Sequence, residues 1–293
     1  MKSLENQIEC LIPNIKKSQK NGVSGFPTGF DELDKITTGW HKGELIVISA
    51  PRKMGKTYLA LSILINSFQK GRLGAVWFST NHAVIQLIKM FLCNNFNIEG
   101  YKFLSGGFNY EELHNMLNDF KFADINFDDS PYLTINDLDT KISSQKQKWP
   151  IELIIIDNVN ELNYQNDCYL DLTDKFYQLK TLARKYDIPI ICLFNDEILE
   201  NHFVDYNTLL EVLAENKIAD KSIDVLIQLF RPEYYKITEF EEAKTEFEVG
   251  KSCLGFADLI ISGRNVMNGK ARLKYEPLFF KLSETNVTLN HCE

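Results

Sequence analysis

Residues 44–58 read Glu44-Leu45-Ile46-Val47-Ile48-Ser49-Ala50-Pro51-Arg52-Lys53-Met54-Gly55-Lys56-Thr57-Tyr58. Leu45 to Ile48 form an unbroken apolar run of the kind that a strand buried on both faces requires. The run leads directly into a short loop, and the segment Lys56–Gln69 that follows has its apolar residues at helical spacing. Strand, loop and helix in that order make a phosphate cradle. The N–H groups of the loop and of the helix N-terminus converge on one place, where the helix dipole favours negative charge. The cradle is expected to run from Ala50 through Pro51, Arg52, Lys53, Met54, Gly55, Lys56 and Thr57, with Tyr58 just beyond, and to hold the phosphates of ATP. Gly55 lets the backbone approach closely. The Lys56 ammonium is placed on the β and γ phosphates, and the Thr57 hydroxyl on Mg2+. The general form of such loops begins with Gly; here that place is Ala50.

Working outward, the apolar runs Glu44–Ala50, Ala75–Ser79, Glu152–Asp157, Ile188–Phe194, Asp224–Phe230 and Ala257–Ser262 read as strands. Between most of them lie helical stretches such as Lys56–Gln69, Ala83–Asn94 and Leu170–Tyr186. Buried strands separated by helices predict an α/β fold with a mostly parallel twisted sheet covered on both faces. After about residue 224 the helices thin out, which predicts an antiparallel edge, and the acidic segment Ile237–Gly250 reads as a solvated hairpin or loop. Leu153-Ile154-Ile155-Ile156-Asp157 ends in a carboxylate at a strand tip, where it can orient the hydration shell of Mg2+. Residues 1 to about 22 read as a short amphipathic helix with Ile8, Leu11, Ile12 and Ile15 on one face, and residues 23–293 as one domain.

Composition excludes several classes. Hydrophobic residues make up 44% and charged residues 25%, as in ordinary globular proteins. Six cysteines are scattered with no CxxC pair, which argues against a zinc site or a disulfide framework and for a reducing cytoplasm. No apolar run approaches the roughly 20 residues that span a bilayer, and the polar N-terminus is no signal peptide, so no membrane partner is expected. The net charge of −8 argues against a surface that is basic throughout.

Several segments together resemble one family, the C-terminal, RecA-like ATPase domain of DnaB-type replicative DNA helicases. Ser24-Gly25-Phe26-Pro27-Thr28-Gly29-Phe30-Asp31-Glu32-Leu33-Asp34 is similar to its TGxPTGFxxLD stretch, and Thr37-Thr38-Gly39-Trp40 with Gly43-Glu44-Leu45 to its TGGLxxGEL. Ala50-x-x-x-Met54-Gly55-Lys56-Thr57 is similar to ARPSMGKT, which also begins with Ala. Ile156–Leu162 resembles IDYLQLM, Leu179–Ala183 the LKxLAKEL helix, Arg231-Pro232-Glu233-Tyr234-Tyr235 the RPEYY segment, and Ile260–Asn265 the IIxKxRNG segment. The likeness runs from about residue 22 to 282 and implies a P-loop NTPase fold. It also implies a ring-like homo-oligomer, hexameric in that family, with ATP between neighbours and single-stranded DNA as a partner. Arg264 would be an arginine finger reaching the neighbour's γ-phosphate, a role its fixed charge suits. The family's separate N-terminal domain has no counterpart in the sequence, and residues 1–22 would correspond to its linker helix.

The departures fall on catalysis and on DNA. The family's second strand ends FSLEM, and its Glu activates the attacking water; here Asn81 holds that place, and an amide cannot take a proton at neutral pH. Glu161 and Asp196 are other carboxylates close to strand ends in the same region. Asn195 is a shortened stand-in for the phosphate-sensing Gln of SQLNR, and Ser262 replaces the finger's companion Lys. The DNA-facing loop has Ala214 for an expected Arg, which leaves Glu215, Lys217 and Lys221 as its contacts. Two readings stay open: a helicase or DNA-translocating ATPase, and a pseudo-ATPase that uses bound nucleotide for assembly. A small-molecule kinase is disfavoured because there is no arginine-rich lid segment.

Overall fold

The computed structural model describes residues 22–285 apart from 71–73, 104, 108, 121–123, 163–170, 198–220, 236–254 and 265, together with Ile12. Helices are α1 (Asp31–Thr37), α2 (Lys56–Lys70), α3 (Val84–Phe96), α4 (Tyr110–Asp119), α5 (Ile135–Lys146) and α6 (Leu172–Tyr186). Strands are β1 (Leu45–Ala50), β2 (Ala75–Ser79), β3 (Ile125–Asp128), β4 (Leu153–Asp157), β5 (Ile190–Asn195), β6 (Val225–Phe230), β7 (Phe256–Gly263), β8 (Gly269–Glu276) and β9 (Lys281–Glu284). They form one sheet in the order β3-β2-β4-β5-β1-β6-β7-β8-β9. The first six strands in that order pair in parallel, and β7, β8 and β9 add an antiparallel edge.

The all-apolar runs become the central strands because both of their faces are covered. Leu45 and Val47 of β1 look toward Phe176, Leu179 and Leu182 of α6 and Leu138 of α5. Ile46, Ile48 and Ala50 look the other way, toward Leu59, Ile63 and Leu64 of α2 and Phe91 of α3. Each fully buried side chain of this size contributes about 1.5–3 kcal/mol. Caps set the helix ends. Thr134 and Asp137 form a reciprocal capping box at the start of α5, and the Asp171 side chain accepts from Asp174 N–H at the start of α6. On the antiparallel edge, Arg272 of β8 reaches Asp258 of β7 across the register with Nη2–Oδ2 at 2.6 Å, a buried bidentate pair.

The predicted parallel sheet and antiparallel edge are both present. The structure adds elements that the apolar runs did not announce: β3, β8, β9, α1, α4 and α5. β3 is short and only half buried, and β8 (GKARLKYE) alternates charged with apolar residues, so neither carries a continuous apolar signal. β5 starts at Ile190 rather than Ile188, because Pro189 has no N–H to give the ladder. The N-terminal helix expected over residues 1–22, the acidic segment Ile237–Gly250 and most of the loop expected to face DNA lie outside the described residues.

Candidate functional site

The strand order sets β1 beside β5, with β4 and then β2 beyond, so the loop leaving β1 opens beside the carboxyl ends of three neighbours. That crevice is where open α/β sheets bind ligands. Alternation along each strand decides what lines it. Ala50, Asp157 and Asn195 follow Ile48, Ile155 and Leu193 on the face covered by α2, and they come together at the strand tips.

The loop after Ala50 turns through Lys53, at φ 64°, and Gly55, at φ 115°. Gly55 is required twice over: its φ lies in the left-handed half of the map, and a Cβ there would sit 3.1 Å from Cε2 of Tyr275. Pro51 is buried, Arg52 and Lys53 are exposed, and Met54 is fully buried and fixes the middle of the loop in the core. Helix α2 begins at Lys56 with no acidic residue in its first turn, so nothing on the helix neutralises its N-terminal positive end. The Lys56 Nζ donates to the carbonyls of Ala50 at 2.8 Å and Pro51 at 2.7 Å, folding the loop around its own ammonium.

Thr57 and Asp157, a hundred residues apart in sequence, meet directly: Thr57 Oγ1 donates to Asp157 Oδ2 at 2.9 Å. Burial pushes the Asp157 carboxyl up, and the charges of His82 and Lys56 and the Thr57 hydroxyl oppose it. A hydroxyl and a carboxylate side by side are hard oxygen donors that suit Mg2+, which is held by few protein ligands together with substrate phosphates. The neighbouring tip is tied in as well. Thr80 N–H donates to Asp157 O at 2.7 Å, and Asn158 N–H donates to Thr80 Oγ1 at 2.9 Å. Asn81, the next residue, is exposed at the rim.

The two other carboxylates near these strand ends sit in different surroundings. The Asp196 Oδ2 accepts from Ser49 Oγ at 3.1 Å, and Ser49 lies on the face of β1 opposite to Ala50. Glu161 approaches Arg52 at 4.0 Å across the exposed rim. Arg264 lies at the other end of the sheet. Gly263 is the register partner of Val225, which is the partner of Ile46, and Arg264 N–H donates to Asp224 O at 3.1 Å. From that level Ala50 is four residues further along β1, about 13 Å at strand rise. Lys221 is exposed near the same end, while Glu215 and Lys217 lie outside the described residues.

Two residues given no role from sequence flank the loop. The Arg231 guanidinium lies 4.0 Å from the centre of the Tyr275 ring, and Arg231 Nη2 donates to Lys53 O at 3.1 Å. Tyr275 in turn stacks on Tyr58 with ring centres 6.0 Å apart. Arg231 was visible only inside the RPEYY likeness, and Tyr275, on β8, had no local signal at all. Among the described residues no helix is long and apolar enough to cross a membrane.

Comparison with known proteins agrees with this fold. Residues 25–283 match the family described as DnaB-like helicase C terminal domain. The chain is 27% identical over 220 residues to the replicative DNA helicase DnaB of Geobacillus stearothermophilus, covering 73% of this chain and 48% of that protein. It is 25% identical over 225 residues to the replicative DNA helicase DnaC of Bacillus subtilis (strain 168), covering 74% of this chain and 50% of that one. It thus spans about half the length of these curated relatives. In fold it is similar to a DnaB-like replicative helicase whose structure was solved together with a description of its interactions with primase. The TM-score is 0.73 at 19% identity, over 98% of this chain and 68% of the other.

Proposed function

Because this chain belongs to the DnaB-like helicase C-terminal domain family, we propose that it binds ATP with Mg2+ on the loop from Ala50 to Tyr58. We propose further that it does so within a ring-like homo-oligomer. The observation that carries the reading is the Thr57–Asp157 contact at 2.9 Å beside the buried Lys56 ammonium. It unites the helix N-terminus, the hard-oxygen pair and the cation that a triphosphate needs. The residues divide the work. Loop N–H groups and Lys56, which exchanges the Ala50 and Pro51 carbonyls for phosphate oxygens, hold the tail. Thr57 and Asp157 hold Mg2+, whose charge offsets that of the phosphates. Asn195 meets the γ-phosphate, and Arg231, held by Lys53 O and the Tyr275 ring, adds positive charge beside the loop. Calorimetric titration with magnesium ATP is expected to give saturable heat, and Lys56→Ala is expected to abolish it. A folded wild-type chain that gives no heat and no thermal shift sinks the reading.

The position of Arg264 favours action in trans: it sits at the opposite end of the sheet from its own loop, so the nucleotide it serves belongs to a neighbour. Single-stranded DNA is the proposed ligand of the ring's inner loops, with Lys217 and Lys221 as phosphate contacts. Each such contact contributes about 0.7 to the salt slope.

A second reading, a pseudo-ATPase that uses bound nucleotide for assembly, is favoured by one observation. Asn81, an amide, occupies the rim where a base is needed, and Asp196 accepts from Ser49 on the face of β1 opposite to Ala50. Phosphate release with and without a single-stranded oligonucleotide separates the two. Stimulation by DNA supports a translocating helicase, and nucleotide binding with negligible release under both conditions supports the assembly module.

A further inference from the structure

Regular pairing of β4 with β5 ends at Asp157 and Leu193. The Val159 N–H still reaches Leu193 O at 2.9 Å. Past that point β4 has turned away, and the tip of β5 needs another partner on this side. The Asn160 side chain supplies it: Asn160 Oδ1 accepts from Asn195 N–H at 2.8 Å, and Asn160 Nδ2 donates to Asn195 O at 3.0 Å. A primary amide carries the same donor and acceptor as a peptide unit, so one side chain satisfies both backbone groups of Asn195. Across the other edge Asn195 is the register partner of Ala50, where the phosphate loop begins. The bracket itself is anchored. Lys175 Nζ donates to Asn160 O at 3.1 Å, and Glu161 N–H donates to Asn158 Oδ1 at 3.1 Å.

We propose that Asn160 is the positioning residue for Asn195, and that through it the site distinguishes a nucleoside triphosphate from a diphosphate. The proposal rests on the reading that Asn195 meets the γ-phosphate. An Asn side chain is short, with a single methylene between backbone and amide, so it has little freedom to compensate if its backbone drifts. Fixing the backbone from both sides is therefore what fixes the reach of its amide.

The test measures binding of magnesium ADP and of a non-hydrolysable magnesium ATP analogue to the full chain by calorimetry, for wild type, Asn160→Ala, Asn195→Ala and the double variant. Loss of one hydrogen bond to a charged group narrows the triphosphate preference of Asn195→Ala by about tenfold. Asn160→Ala is expected to narrow it by a similar factor while leaving ADP affinity unchanged. The double variant is expected to lose no more than either single, because both remove one interaction. Asn160→Gln, which keeps both amide groups, is expected to recover much of the preference. Should Asn160→Ala fail to fold, Asn160→Ser carries the same comparison. An Asn160 variant with the wild-type preference overturns the proposal, as does a double variant whose loss is the product of the singles. An unchanged preference in Asn195→Ala overturns it at the sensor instead of at the bracket. A wild-type chain that binds neither nucleotide removes the site reading itself.

Discussion

Asn81 is exposed one residue beyond Thr80, whose hydroxyl and N–H tie the tip of β2 to the Asp157–Asn158 backbone. The backbone next to Asn81 is thus held to β4, and on the proposed function Asn81 stands where a general base would act. Restoring a carboxylate with Asn81→Glu is expected to raise phosphate release by about 10²–10⁴-fold, the usual contribution of a general base. Release assays at saturating magnesium ATP check it; no rise would mean that the rest of the site is not competent. The strand Ala75–Ser79 and its end were legible in the sequence from five residues, and with them the position of Asn81. The Arg231–Tyr275 stack was not legible. Its partners are distant in sequence, and only the antiparallel edge brings β8 over the phosphate loop. The buried thiol of Cys93, pushed up to about 11 by burial, is an inert core residue, in keeping with the scattered cysteines.

At the scale of elements, a polar cluster stitches the amino ends of the central strands to α6. Lys180 of α6 donates to Asp224 Oδ2 and to Gly43 O, both at 2.6 Å. Asp224 Oδ2 also accepts from Leu45 N–H at 2.8 Å, and Glu44 accepts from His41 N–H at 2.8 Å. Burial, with Asp224 close by, pushes Glu44 up from 4.5 to about 7, against the His41 N–H and Lys180. The folded chain therefore holds this proton more tightly than the unfolded chain. The stability it contributes is present in full below about pH 4.5 and is lost as pH rises through about 7, at most about 3 kcal/mol. Thermal melts should accordingly fall between about pH 5 and 8 in wild type and fall less in Glu44→Gln. Parallel curves for the two proteins would refute the assignment. Asp34 is raised by burial in the same sense, so the difference between the two proteins is the diagnostic. The same cluster borders the arginine end of β7, where Gly263 leaves no room for a side chain: a Cβ would lie 2.2 Å from Asp224 O.

Seen whole, the loop after Ala50 lies at the carboxyl ends of β1, β4 and β5, and Arg264 lies at the far end of β7; on the proposed function these are two halves of one nucleotide site. A single copy cannot close them on each other. Copies arranged head to tail can, and such contacts give a ring where the rotation between copies closes, as proposed above. In the Asn81→Glu background, Lys56→Ala and Arg264→Ala copies should each be inactive alone. Mixing them in equal amounts should restore release at about a quarter of the interfaces, those pairing an intact loop with an intact arginine. No recovery on mixing, with both proteins assembled, would place Arg264 outside the neighbour's site.

By itself the sequence determined the parallel core and the phosphate loop. Both are local in origin: unbroken apolar runs report burial on two faces, and loop, glycine, lysine and threonine follow one another along the chain. Only the tertiary structure decided which distant groups meet there. The pairing of Thr57 with Asp157, the Asn160 bracket on Asn195 and the stack of Arg231 on Tyr275 are products of strand order and register. No local pattern encodes those, because they arise from how whole faces of strands and helices bury against one another.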